Sequence, residues 1–259
     1  MFKAFKMSLQ TFDDYLNDNM DIDCFCEGSL IYDEQKKAVY SSLEKYLSPS
    51  GILNASKIEH DWFPSIEADV FLSHSHKDED TVIAFAGWLE KQGIKAFIDS
   101  TVWKLADDLL KKIDHAYCVK YSGSNGGYTY DYDMRNRSTA YVHAILNGAL
   151  AKMIDDTECL FFLDTPNSLK VSDISTGLTD SCWIYSELLL SKIIRKRTPP
   201  RKSESGSFNE SFHHDALKME YDVDLTHLIK LDFKEILHIQ MRRLRGTDIL
   251  DQLYYDKGI

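Results

Sequence analysis

The strongest constraint on what this chain can fold into lies between Ala68 and Asp99. Ala68-Asp69-Val70-Phe71-Leu72 is a short apolar run of the kind that forms a strand buried on both faces. The polar stretch Ser73-His74-Ser75-His76-Lys77-Asp78-Glu79-Asp80 follows. Then Val82, Phe85, Ala86 and Leu89 recur at the spacing of one helix face. Asp78 or Asp80 can cap the start of that helix, and Gly93 stands where a C′ glycine belongs. Ile94-Lys95-Ala96-Phe97-Ile98 reads as a second strand, ending at Asp99. Strand, helix and strand in so short a stretch read as a parallel crossover, and such connections are right-handed almost without exception. The expected class is an α/β sheet covered by helices on both faces.

The alternation continues downstream. Trp103–His115 and Thr139–Ile154 are helical by pattern, the latter with Val142, Ile145, Leu146 and Ala149 on one face. Glu158-Cys159-Leu160-Phe161-Phe162-Leu163 reads as a third strand, Ser181–Ile194 as a helix, Thr226–Leu231 as a late strand and Lys234–Arg245 as a terminal helix. Two segments read as inserted loops. Tyr121–Arg137 is rich in Gly, Tyr, Asn and Asp, with Gly123–Gly127 as a flexible turn. Arg195–Ser211 is a basic run broken by Pro199-Pro200, either solvated or in contact with a phosphate or a partner.

Residues 1–66 differ in tone. They hold six lysines against eleven carboxylates. Phe5, Leu9, Phe12 and Leu16 recur at near-helical spacing, as do Val39, Leu43, Tyr46 and Leu47 before the breaker Ser48-Pro49-Ser50-Gly51. The expectation is a helical N-terminal extension over residues 1–66, too sparse in apolar residues for a core of its own. It would dock on a domain spanning 67–259, which folds without residues 1–60, or on another subunit.

Composition narrows the function classes. The chain has 259 residues, 44% hydrophobic and 12% aromatic, enough for a substantial core. Its 30 basic and 41 acidic residues leave a net charge of −11, which disfavours a general nucleic-acid partner. Small anionic ligands stay open, because backbone amides at a helix N-terminus hold a phosphate without net positive charge. No run of about 18 apolar residues offers a membrane span. The opening MFKAFKMSLQ lacks the apolar core of a secretory signal, so the expected location is cytoplasmic. Five scattered cysteines fit a reducing compartment. Cys24-Phe25-Cys26 has no second pair, and neither His74 with His76 nor His213-His214 has a clear third ligand, so no metal is expected. The glycine-rich dinucleotide and phosphate-loop motifs and the G-x-S-x-G elbow are absent from the sequence.

Three motifs, in order, carry a resemblance. Asp69-Val70-Phe71-Leu72-Ser73-His74-Ser75-His76-Lys77-Asp78-Glu79-Asp80 resembles the first box of the TIR (Toll/interleukin-1 receptor-like) domain family. Phe97-Ile98-Asp99 resembles its second strand, and Trp183-Ile184-Tyr185-Ser186-Glu187-Leu188 its late W-x-x-x-E-L motif. The likeness spans roughly residues 67–240, although Ser100–Leu105 lacks the glycine that the family often has in that loop. The resemblance implies a flavodoxin-like fold with a central parallel sheet. It also implies one of two roles: a non-catalytic adaptor acting by TIR–TIR assembly, or an enzyme cleaving NAD+ at the nicotinamide–ribose bond. Bacterial relatives serve in antiphage defence, including Thoeris-like systems. There the TIR protein makes an ADP-ribose-derived messenger, linear, cyclic or conjugated, for a separate nucleotide-sensing effector. By resemblance Glu187 is the catalytic carboxylate, with Ser73, His74, Ser75, His76, Asp99, Trp103 and Trp183 around the substrate. NAD+ is then a substrate and no cofactor is implied. Self-association through TIR domains is expected.

The residues bear on this independently. Glu187 is the only carboxylate between Ser181 and Ile194, and it interrupts a stripe of Trp183, Leu190 and Ile194. It is either an exposed glutamate at the stripe's edge or a buried one that something must use. The chemistry needs one carboxylate only. Nicotinamide departs neutral and requires no general acid, while the ribose gains oxocarbenium character that a carboxylate stabilises mainly in the transition state. Glycosidases need two, because their leaving alkoxide takes up a proton. Ser73–His76 follows a parallel strand at its carboxyl end, where open α/β sheets bind ligands. Its hydroxyls and amides either take a diphosphate or serve local capping. Trp103 either stacks on a flat ring or packs.

Overall fold

The computed structural model describes residues 1–19, 22–46, 67–122, 127–170, 176–199 and 221–259. Five strands form the central sheet: β1 (Lys3–Ser8), β2 (Val70–Ser73), β3 (Ala96–Ile98), β6 (Cys159–Asp164) and β9 (Ile229–Leu231). Their spatial order is β3-β2-β6-β1-β9, and every pairing is parallel. Two two-stranded antiparallel sheets lie outside it, β4 (Val119–Ser122) with β5 (Gly127–Tyr130) and β7 (Thr176–Thr179) with β8 (Tyr221–Asp224). Eight helices are described: α1 (Gln10–Asn19), α2 (Ile22–Tyr46), α3 (Glu79–Lys91), α4 (Ser100–Tyr117), α5 (Tyr132–Asp156), α6 (Cys182–Ile193), α7 (Phe233–Gln240) and α8 (Thr247–Asp256).

Strand alternation divides the interior into two cores. Phe5, Met7, Leu72, Ile98, Phe161 and Leu163 point to one side and meet α1, α2, α3, α7 and α8. Their contacts include an aromatic nest in which Phe12, Trp88 and Phe85 pack edge-on against Phe233 at 4.9–6.2 Å. Ala4, Phe71, Phe97, Leu160 and Phe162 point to the other side and meet α4, α5 and α6. The unit β2–α3–β3 is the parallel crossover expected from the sequence, with Gly93 at φ +80° just past its helix.

Residues Val82–Leu89 of α3 are all buried, because the sheet covers one side of the helix and α2 crosses the other. That crossing brings backbones together. A Cβ on Gly87 would lie 2.0 Å from the Cys24 carbonyl oxygen, and one on Gly28 would lie 1.8 Å from that of Ile83. Helix α2 also closes the sheet edge at β3. The Gln35 amide donates to the Ala96 carbonyl at 2.8 Å and accepts from the Ile98 N–H at 3.2 Å, as a further strand would.

The N-terminal expectation is corrected here. Lys3–Ser8 is not helical and not outside the sheet; it is the strand between β6 and β9. The helical spacing of Phe5, Leu9, Phe12 and Leu16 spans a strand, a junction and a helix, so its period has no structural meaning. Helices α1 and α2 belong to the main core. The expected inserted loop at Tyr121–Arg137 is also corrected: it comprises the end of β4, strand β5 and the first turns of α5. There Arg135 donates from Nε to Asp114 at 2.8 Å and lies over the Tyr130 ring at 4.9 Å. Residues 123–126, the breaker at 48–51, His213-His214 and most of 195–211 lie outside the described residues. The terminal helix expected over Lys234–Arg245 ends at Gln240 as α7, Arg243 beyond it stands at φ +63°, and a further helix that was not expected, α8, begins after Gly246 at φ +55°.

Candidate active site

Strand β2 lies between β3 and β6, and the helices that follow the neighbours β2 and β6, α3 and α6, pack on opposite faces of the sheet. This is a topological switch point, and the crevice at the carboxyl ends of β2 and β6 is where such sheets bind ligands. Ser73 closes β2 and is in register with Phe162 of β6, so its side chain points to the α6 side. Helix α6 is capped by Ser181, whose Oγ accepts from the Ile184 N–H at 3.2 Å. Ile184 and Leu188 seat the helix on the sheet. Glu187 is carried between them onto Ser73, whose Oγ donates to Glu187 Oε2 at 2.5 Å. Both side chains are fully buried. A carboxylate in such a place is costly unless hydrogen bonds hold it.

Beside this pair, His74 and Asp99 connect the ends of β2 and β3. His74 Nδ1 lies 2.6 Å from Asp99 Oδ1, and both are buried. Burial by itself lowers the imidazole pKa, but the Asp99 charge and hydrogen bond outweigh it, and the result lies above the ordinary value. Tyr32 of α2 donates to Glu79 Oε1 at 2.8 Å at the start of α3. Asp78 stands at the N-cap position of α3 but makes no side-chain capping bond there. Its two carboxylate oxygens accept from Thr165 Oγ1 and Asn167 Nδ2, each at 2.6 Å, which ties the loop after β2 to the loop after β6.

The remaining sequence candidates are more dispersed. Ser75 caps a single 3-10 turn, His76–Asp78, accepting from the Lys77 N–H at 3.4 Å. His76 is exposed. Trp103 lies within α4, as the helical reading from Trp103 onward expected, but the helix starts at Ser100, so Ser100–Leu105 is not a loop; the Trp103 side chain falls outside the described residues. The Trp183 ring stacks on His143 of α5 at 5.2 Å and 6°, so it serves a helix–helix contact. Ser73, Glu187, His74 and Asp99 are therefore the candidates gathered at the strand ends. Sequence reasoning missed Asp78 as a tie between loops. It also missed Lys6, which β1 brings to the same edge in an ion pair with Asp164 at 3.1 Å. No signal for Lys6 was available, because its segment did not read as a strand.

Among the described residues no group of three or more His, Cys, Asp and Glu side chains is placed to hold a metal ion, and no helix is long and apolar enough to cross a membrane. Searched against protein-family models, curated proteins and solved structures, the chain matches none.

Proposed function

We propose that this chain is a TIR-type enzyme on a flavodoxin-like sheet that cleaves the nicotinamide–ribose bond of NAD+. The observation that carries the reading is the Glu187 carboxylate, held by Ser73 at the carboxyl end of β2 beside the switch-point crevice. In the reaction the C1′–N bond breaks with its electron pair going to nicotinamide, which leaves neutral. Glu187 faces the positive charge that builds on the ribose, a charge absent from the bound substrate's ribose. Attack by water at C1′ gives ADP-ribose and a proton. Attack by a hydroxyl of the same or another molecule gives a cyclic or conjugated product. An ADP-ribose-derived messenger of this kind fits a cytoplasmic antiphage system with a downstream nucleotide-sensing effector.

Purified protein incubated with NAD+ should release nicotinamide, measured by chromatography. Glu187→Gln should lose about 10²–10³-fold in rate, the cost of removing one charge-stabilising group. Full activity in that variant would sink the assignment. A second reading, a non-catalytic module acting by TIR–TIR assembly, is favoured by one observation: Glu187 is fully buried with the loops tied over the crevice. It predicts no nicotinamide release under any condition and self-association indifferent to Glu187→Gln.

A further inference from the structure

Strand β1 carries a lysine where an interior parallel strand ordinarily holds an aliphatic side chain. The register places Lys6 beside Phe162 on one side and beside Lys230 of β9 on the other. Ser73 is beside the same Phe162. Ser73, Phe162, Lys6 and Lys230 thus form one row across four strands. Phe162 belongs to the core on the α6 side, so the whole row points to that side, where Glu187 meets Ser73. Strand spacing puts the Lys6 Cα about 10 Å from that of Ser73, within reach of one long substrate. The Lys6 side chain is 25% exposed and Lys230 is exposed at the sheet edge, so both side chains reach solvent.

Two like charges on registered neighbours repel, and one partner is in place. Asp164, at the end of β6, pairs with Lys6 at 3.1 Å. Among the described residues no carboxylate lies within ion-pair distance of Lys230. One carboxylate for two cations leaves the row short of negative charge, in a chain that carries eleven more acidic than basic residues. A positive pair at the carboxyl edge of a parallel sheet, beside a carboxylate suited to a cationic ribosyl centre, matches a ligand with a positive end and a doubly negative middle.

We propose that Lys6 and Lys230 form a diphosphate subsite that holds the substrate while Glu187 faces the ribose. The proposal rests on the NAD+-cleaving reading for its substrate, but the subsite itself can be tested apart from turnover. Inorganic pyrophosphate titrated into the full chain by calorimetry should bind. Lys6→Gln and Lys230→Gln should each weaken that binding about tenfold, and Lys6→Arg should retain it. Lys234→Gln, an exposed lysine on α7, should leave it unchanged. In nicotinamide-release kinetics the two glutamine variants should raise KM for NAD+ about tenfold with kcat within threefold. Lys230→Gln covers the case in which Lys6→Gln fails to fold, because Lys230 is exposed. Pyrophosphate binding that depends on the lysines, without NAD+ turnover, keeps the subsite and removes the enzyme reading. NAD+ turnover with KM and pyrophosphate affinity unchanged in both variants overturns the subsite and keeps the reading. Neither binding nor turnover overturns both.

Discussion

The Ser73–Glu187 and His74–Asp99 contacts place two buried polar pairs at the ends of adjacent strands. The second pair has a pH signature. His74 has a folded pKa above its ordinary value near 6.5. Its proton is therefore held more tightly in the folded chain than in the unfolded one. The stabilisation from the pair is complete below the unfolded pKa and is lost as pH rises through the raised one. Melting temperatures of the native chain and of His74→Gln should differ most below about pH 6 and converge at alkaline pH. A gap that stays constant over that range would show that His74 stabilises by packing and not by charge. The type of each of these four residues was legible in the sequence. Their pairing was not, because Ser73 and Glu187 are separated by 114 positions. Trp183 shows the opposite case: it matches a motif, yet its ring is engaged by His143.

At the scale of elements, α2 does two things that its sequence does not announce. Its glycine crossing with α3 leaves no room for a Cβ at Gly87 or Gly28. Gly87→Ala should force the helices apart and cost about 1–3 kcal/mol, the usual penalty for overpacking. At about 2–4 °C per kcal/mol, calorimetry would read this as a drop of several degrees in Tm. An unchanged Tm would show that α2 shifts freely on α3. Gln35 satisfies backbone groups of β3 that are otherwise left without a strand partner. The periodicity of α3 was legible because its inward face repeats regularly. The burial of its outer face depends on a helix from a distant part of the chain.

For the whole molecule, the decisive fact is that β1 lies inside the sheet. Removing residues 1–46 would strip β6 and β9 of their common neighbour and uncover the outer face of α3. The truncated chain should be insoluble or lack cooperative melting. A soluble fragment with a sharp transition would restore the picture of a detachable extension. By itself the sequence determined the local crossover β2–α3–β3, the apolar strand β6 and the residue types at the strand ends, since each follows from short-range pattern. Only the tertiary structure decided that Lys3–Ser8 is a sheet strand, that Gln35 closes an edge, and that Lys6 and Lys230 share a row with Ser73. These outcomes come from hydrogen-bond register and packing between distant segments, and no periodicity within a segment encodes them.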